Sequence, residues 1–314
     1  MNNFIISELS QLKHSFVSLT IGSFDGLHKG HNKLLKTLKN SARKLNTISL
    51  LVTFEPHPRK VIDVDFDLKL LNTKEEKLLK LKKSGLDHIN YISFSREFAD
   101  TGYREFYTDY IFSDLNVGSI VAGANHFFGK NRHGDKDMLL SLCRENSIEL
   151  ILVDPVLYQG KKISSTRIRD CITRGNIAEA NTMLGYNYSI SGIVETGDGV
   201  GSELGFPTAN INLDRTQKVI PDKGVYLVKT RIDNDTKYGI SYLGTKPTFS
   251  KTSIRLETHI FDLNSDIYSK NIRVEFLKKI RGEKIFSSAK ELSQAILKDK
   301  TTAIKMLKNK GQTA

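Results

Sequence analysis

Short apolar runs alternate with helical patterns through the first half of the chain. Phe16-Val17-Ser18-Leu19-Thr20-Ile21 reads as the body of a buried first strand over residues 15–24, and Leu34, Leu35 and Leu38 mark a helix over 30–45. A second strand, 48–54, runs into Glu55-Pro56-His57-Pro58, where the prolines end it. Thr73 and Glu76 form a capping box that opens another helix. A third strand over 88–94 precedes a helix over 103–115 with Phe106, Tyr107, Tyr110 and Ile111 as its apolar positions. A fourth strand (117–123), a helix (138–146) and a fifth strand (148–153) complete the series. Strands alternating with helices predict an α/β fold with a doubly wound parallel sheet. One helix follows to about Arg174 and a shorter one over 176–183, after which Leu184-Gly185-Tyr186-Asn187 breaks the pattern. The domain boundary is placed there, giving domains 1–183 and 184–314.

The period then changes. Residues 188–195, 224–232, 238–243, 254–261 and 271–280 read as short strands separated by Gly, Asp, Asn and Pro. They predict a small antiparallel β-barrel. A C-terminal amphipathic helix over 287–307 closes it, with Leu292, Ala295, Ile296, Ala303 and Leu307 near one face.

Composition narrows the class. The 314 residues suffice for two domains, and 39% hydrophobic with 26% charged residues fits a globular chain. The longest apolar runs are too short to span a bilayer, and no basic-then-apolar leader opens the chain. Cys143 and Cys171 lack metal spacing and fit a reducing cytoplasm. The net charge of +12 is spread over both halves, whereas a nucleic-acid binder concentrates charge and interleaves aromatics. The expectation is therefore a phosphate-handling enzyme or simply a basic surface, with no nucleic acid and no membrane; self-association is left open.

Candidate chemistry begins at GSFDGLHKGH, residues 22–31, where the first strand turns into the first helix. In open α/β sheets this is a phosphate-binding position. His28 and His31 can share one face of the first helical turn and stabilise charge between two nucleotide phosphates. A metal pair lacks the Glu that stands between the histidines of a zinc-protease helix; chance turn chemistry and core packing are the other readings. A second segment, ISSTRIR (163–169), offers hydroxyls and arginines at another helix start. Between them lies VAGANHFFGKNRHGD (121–135), a loop able to hold an adenine or ribose on its backbone and Asn125.

These residues resemble a known family. GSFDGLHKGH is similar to the HxGH motif of the nucleotidyltransferase superfamily, and in full to the adenylyltransferase half of bacterial bifunctional riboflavin kinase/FAD synthetases. ISSTRIR matches that family's second phosphate motif. Gly123, Asn125, Phe128 and Gly129 fit its middle loop, with His126 where Phe is usual. The resemblance implies that Gly22, Ser23, Phe24, Asp25, His28, His31, Asn125, Ser164, Ser165, Thr166, Arg167 and Arg169 bind ATP, with His28 and His31 catalytic.

In the second half GDGVGSELGFPTAN (197–210) is a glycine-rich loop without the Gly-Lys-Ser/Thr of a P-loop. Thr208 and Asn210, two apart, point the same way and can share a Mg²⁺ with ATP phosphates. GFPTAN resembles the riboflavin kinase signature, and KGVYLV, TKPTF, LETH and FLKKIRGEKIF follow in family order. The resemblance implies Glu257 as catalytic base. It implies Gly197, Gly199, Gly201, Gly205, Phe206, Pro207, Thr208, Asn210 and Arg281 as ATP- or flavin-binding. The implied function is phosphorylation of riboflavin to FMN and adenylylation of FMN to FAD, with ATP and Mg²⁺. Ser202 stands where Arg is usual and Tyr242 where Asn is usual. A lone FMN adenylyltransferase and a non-catalytic flavin-binding regulator are the rival readings, and intact His28, His31, Thr208, Asn210 and Glu257 argue against both.

Overall fold

The structure is a computed structural model, and it describes residues 5–6, 8–63, 65–124, 129, 134–247 and 252–309. The chain forms two compact units, Met1–Ser165 and Thr166–Ala314.

The first unit holds strands β1 (Ile5–Ile6), β2 (Phe16–Ile21), β3 (Ile48–Glu55), β4 (His88–Ser93), β5 (Asn116–Gly123) and β6 (Glu149–Val153). They lie in the order β1-β4-β3-β2-β5-β6, and every pairing is parallel. The order reverses between β2 and β5, so the carboxyl ends of these two strands flank the switch point where such sheets bind ligands. Helices cover both faces, as a parallel sheet requires. Leu35 and Leu38 of α1 (Lys29–Leu45) and Leu81 of α3 (Lys74–Lys82) pack with Leu51, Ile89 and Val121. The short α2 (Pro58–Ile62) and α4 (Arg96–Ala99) lie between these elements in the chain. On the opposite face, α5 (Tyr103–Tyr107), a π-helical turn (Thr108–Phe112) and α6 (Lys136–Glu145) bring Phe106, Ile111, Leu139 and Leu142 onto Leu19, Leu50 and Ile120. The helix expected over 103–115 thus widens midway, keeping Tyr107 and Ile111 both fully buried.

Ser18 inside the apolar β2 is explained by its neighbours. Its hydroxyl bonds Thr47 (2.7 Å) and Ser119 (2.8 Å), and Ser119 bonds Ser41 (2.7 Å), so the buried hydroxyls satisfy one another. The capping box is present: Thr73 Oγ1 accepts from Glu76 N and the Glu76 carboxylate accepts from Thr73 N. A ribbon of β7 (Leu157–Tyr158) and β8 (Lys161–Lys162) leads to α7 (Ser165–Thr173).

The second unit contains α8 (Ile177–Leu184), β9 (Ser189–Ile193), α9 (Val200–Glu203), β10 (Ala209–Asn212), β11 (Gly224–Ile232), β12 (Asp235–Pro247), β13 (Thr252–Ile260), β14 (Asn271–Arg281) and α10 (Ala289–Lys308). The strands run antiparallel in the order β10-β13-β12-β11-β14-β9. A bridge from Glu195 to Asn210 brings the two sheet edges together, so the barrel is nearly closed. Ala303 and Leu307 of α10 pack on Val225, Leu227 and Ile240.

The division after Ser165 differs from the expected boundary after Met183 by two helices. Asn181 of α8 bonds into the barrel: its Nδ2 donates to Phe276 O of β14 (2.8 Å) and its Oδ1 accepts from Tyr188 N (2.7 Å). Two strands also go beyond expectation: β10 begins at the end of the glycine-rich segment, and β12 extends well past 238–243.

Candidate active sites

The loop after β2 is bent by three residues with positive φ, Phe24 (49°), Gly26 (83°) and Leu27 (39°). Such angles are costly for side-chain-bearing residues and persist only where surroundings enforce them. Burial does so at this bend, because Phe24 and Leu27 are core residues packed with Leu35 and Leu38. Asp25 is buried too. Its carboxylate accepts from Leu71 N (3.0 Å) and Asn72 N (3.3 Å), tying the loop to the segment before α3.

His28 is the N-cap of α1, its Nδ1 accepting from His31 N at 3.3 Å. The two imidazoles stack with centroids 3.7 Å apart and planes 13° from parallel. Gly30 makes room for this: a Cβ there would stand 3.0 Å from His28 Cε1. Burial pushes the His28 pKa down to about 4, with Asp25 opposing and Lys162 assisting. His31 is held well below the usual imidazole range by burial, by His28 and by Lys77. Both rings are therefore neutral near pH 7. The His31 Nδ1 is enclosed and has no hydrogen-bond partner among the described residues.

The start of α7 meets this loop. Ser165 Oγ donates to Asp25 O at 2.9 Å, joining the first residue of α7 to the middle of the first motif. Ser164 adjoins it, half-buried. Further along, Thr166 is exposed, and Arg167 pairs with Glu179 of α8 at 3.1 Å; Arg169 is half-buried on the same helix as Arg167. Asn125 and Phe128 lie outside the described residues.

In the second unit the glycine-rich segment folds around α9. Gly199 and Gly205 carry left-handed φ values of 80° and 81°. Phe206 N donates to Gly201 O (2.7 Å), and a Cβ on Gly201 would stand 2.6 Å from Phe206 O. His259 Nδ1 donates to Pro207 O (3.0 Å), and its ring meets Phe206. Asn210 Nδ2 donates to Thr208 O (3.1 Å) and lies 3.5 Å from Thr208 Oγ1, so the two candidate metal-binding side chains are neighbours, and the Asn210 Oδ1 takes no part in these contacts. Gly197 faces Asn210, leaving no space for a side chain.

Strand register completes this site. Asn210 of β10 stands opposite Glu257 of β13, and Glu257 opposite Tyr242 of β12. Directly opposed residues share a face. The Tyr242 hydroxyl donates to Glu283 Oε1 at 2.6 Å, and burial, then Glu283 and Glu257, push its pKa far up, so it stays neutral. Arg281 forks onto the buried Asp299 of α10 (2.8–3.1 Å), binding the end of β14 to that helix. Ser202 is exposed on α9.

Two family models match the chain: FAD synthetase over residues 10–167 and riboflavin kinase over residues 184–307. The bifunctional riboflavin kinase/FMN adenylyltransferase of Escherichia coli (strain K12) is 36% identical over 299 residues, covering 95% of each chain. The chain belongs to the bifunctional riboflavin kinase/FMN adenylyltransferase family. The Bacillus subtilis (strain 168) relative is 35% identical over 296 residues, covering 93% of this chain and 92% of that one. A solved structure described as a macrolide-efflux protein from Streptococcus pneumoniae matches with a TM-score of 0.86 at 32% identity, covering 96% of this chain and 98% of that one. Among the described residues no helix is long and apolar enough to cross a membrane.

The adenylyltransferase candidates run from the β2 loop to α7, and the kinase candidates lie in the barrel segment. Residues that sequence reasoning passes over also border these sites. Lys77 and Lys162 act on the histidines, and Glu283 on Tyr242. Lys77 sits in a Lys-Glu-Glu-Lys helix start, a pattern that reads as a solvated face. Only the contact between its helix and the β2 loop distinguishes it.

Proposed function

We propose that Glu257, Thr208 and Asn210 carry the kinase step and that His28, His31 and the start of α7 carry adenylyl transfer. The register that sets Asn210 beside Glu257 supports the first assignment. The stacked histidines, joined to the second motif through Ser165, support the second and are the observation that carries the reading.

In the kinase step the riboflavin 5′-hydroxyl is a weak nucleophile near neutral pH. The Glu257 carboxylate orients it and accepts its proton as the oxygen attacks the γ-phosphorus of ATP. ADP leaves with the bridging oxygen. The amide oxygen of Asn210 and the hydroxyl of Thr208 form a hard-oxygen pair that fits Mg²⁺ held jointly with ATP. When bound, the ion would neutralise phosphate charge. Among the described residues no group of three His, Cys, Asp or Glu could hold a metal. Backbone N–H groups of the glycine-rich segment would cradle the phosphates.

Adenylyl transfer needs no base. An FMN phosphate oxygen attacks the α-phosphorus, and the bond to the β-phosphate breaks to release pyrophosphate. The protein supplies position and charge stabilisation. His28 and His31 are neutral before ATP arrives; the triphosphate raises their pKa values and draws protons onto them. ATP binding at pH 7 should therefore take up protons, read as a dependence of calorimetric heat on buffer ionisation enthalpy. Two free thiols fit reaction in a reducing cytoplasm.

The test uses the full chain with riboflavin, ATP and Mg²⁺, with flavins separated by chromatography. Glu257→Gln should stop FMN formation and spare conversion of FMN to FAD. His28→Ala with His31→Ala should do the reverse, so that FMN accumulates. Loss of both activities in either protein would overturn the division of labour.

A further inference from the structure

Lys77 is the one lysine of α3 that turns inward, with 7% of its surface exposed. Its Nζ donates to Ser23 O and to Thr53 Oγ1, each at 2.7 Å. Ser23 is the second residue of the GSFDGLHKGH loop beyond β2, and Thr53 lies near the carboxyl end of β3, the strand paired beside it. Thr53 Oγ1 also reaches Ser23 O at 3.4 Å, so ammonium, hydroxyl and carbonyl form one knot under the loop. Earlier in the same stretch of chain, Leu71 N and Asn72 N hold the Asp25 carboxylate. The segment ending at Lys77 thus grips the loop at Ser23 and at Asp25, either side of the strained Phe24.

Burying an ammonium against neutral oxygens is unfavourable unless other charges compensate. Asp25 and Glu55 do so for Lys77, yet burial still pushes it down to about 8. The other groups facing it are His31, whose protonation it opposes, and the Tyr91 ring, 5.6 Å from its Nζ, which Lys74 also approaches. A methionine or leucine would fill the same space without that cost. The cation is kept where it acts on the loop and on His31.

We propose that Lys77 is a positioning residue of adenylyl transfer: its ammonium fixes the Ser23 carbonyl and, through the loop, sets the stacked His28 and His31 where the nucleotide phosphates need them. This rests on the assignment of the two histidines to the phosphates. Misplacement of a catalytic group by about 1 Å can cost on the order of a hundredfold in rate.

The test measures both activities in the same full-length preparations of wild type, Lys77→Met, Lys77→Arg and His28→Ala. Lys77→Met should lower kcat for FAD formation from FMN at least about tenfold, change the KM for ATP far less, and leave riboflavin phosphorylation unchanged. Lys77→Arg should recover part of the rate. Wild-type FAD formation should fall above about pH 8 as the ammonium deprotonates, and the Arg variant, which stays charged, should lose that fall. If Lys77→Met fails to fold, Thr53→Val carries the same test by removing only the hydroxyl acceptor, with a several-fold drop expected in the same kcat. Adenylyl transfer within twofold of wild type in these variants, or an equal loss of both activities, would overturn the proposal. Full FAD formation by His28→Ala would instead overturn the assignment of the histidines.

Discussion

Neutral, buried histidines make this protein sensitive to acid before its carboxylates titrate. The folded His28 pKa is about 4, against 6.5 for a free imidazole. Below pH 6.5 the unfolded chain takes up a proton that folded His28 refuses, so stability is lost as pH falls. Between pH 6.5 and 5 the loss attributable to His28 is about 1.5 kcal/mol. Urea unfolding at these two pH values should show it. His28→Asn keeps an N-cap oxygen and should show a smaller difference; an unchanged pH dependence in that variant would refute burial of His28 as the cause. At this scale the sequence is only partly informative. The spacing of His28 and His31 places them on one turn, but their stacking depends on Gly30 and on the left-handed bend at Phe24. Asp25 is expected among the nucleotide-binding residues; its carboxylate is engaged by the backbone at Leu71 and Asn72. Likewise Arg281, expected at ATP or flavin, is engaged by Asp299.

Elements are legible where a local rule governs them. The apolar runs form β2, β3, β4, β5 and β6, and the capping box opens α3 as expected, because burial on both faces and end-capping are written in short stretches of sequence. The strand β10 is not legible, since Ala-Asn-Ile-Asn is too short to show a period and forms only by pairing with β13. The same segment yields a prediction. Gly201 sits against Phe206 O so closely that Gly201→Ala must displace the turn before Pro207 and Thr208. FMN formation by that variant should drop at least about tenfold, as for other misplaced catalytic groups, while FAD formation from FMN is preserved. Equal kinase rates in the variant and the wild type would show that the turn does not position Thr208.

For the whole molecule, the proposed assignment gives the two chemistries separate sets of residues. Glu257→Gln protein and His28→Ala, His31→Ala protein, each unable to make FAD from riboflavin alone, should do so when mixed, with FMN passing through solution. Failure of the mixture, with each remaining activity intact, would mean that FMN must stay with one chain. Two domains, their fold classes and their order along the chain follow from hydrophobic period alone: alternating strands and helices can bury their apolar faces only in a covered parallel sheet, and a run of short strands only in a barrel or sandwich. The motifs named the chemistry through their resemblance to a known family, whose phosphate-binding loops place glycines, hydroxyls and histidines at fixed spacings along a few consecutive residues. Contacts between residues distant in sequence decided the rest. The sheet order puts β2 beside β5, Asn181 fastens α8 to the barrel rather than to the sheet, and Lys77 reaches across 54 positions to Ser23. None of these partners lies within a helical or strand period of the other, so no local pattern carries the information, and only the packed chain reveals which buried charge meets which loop.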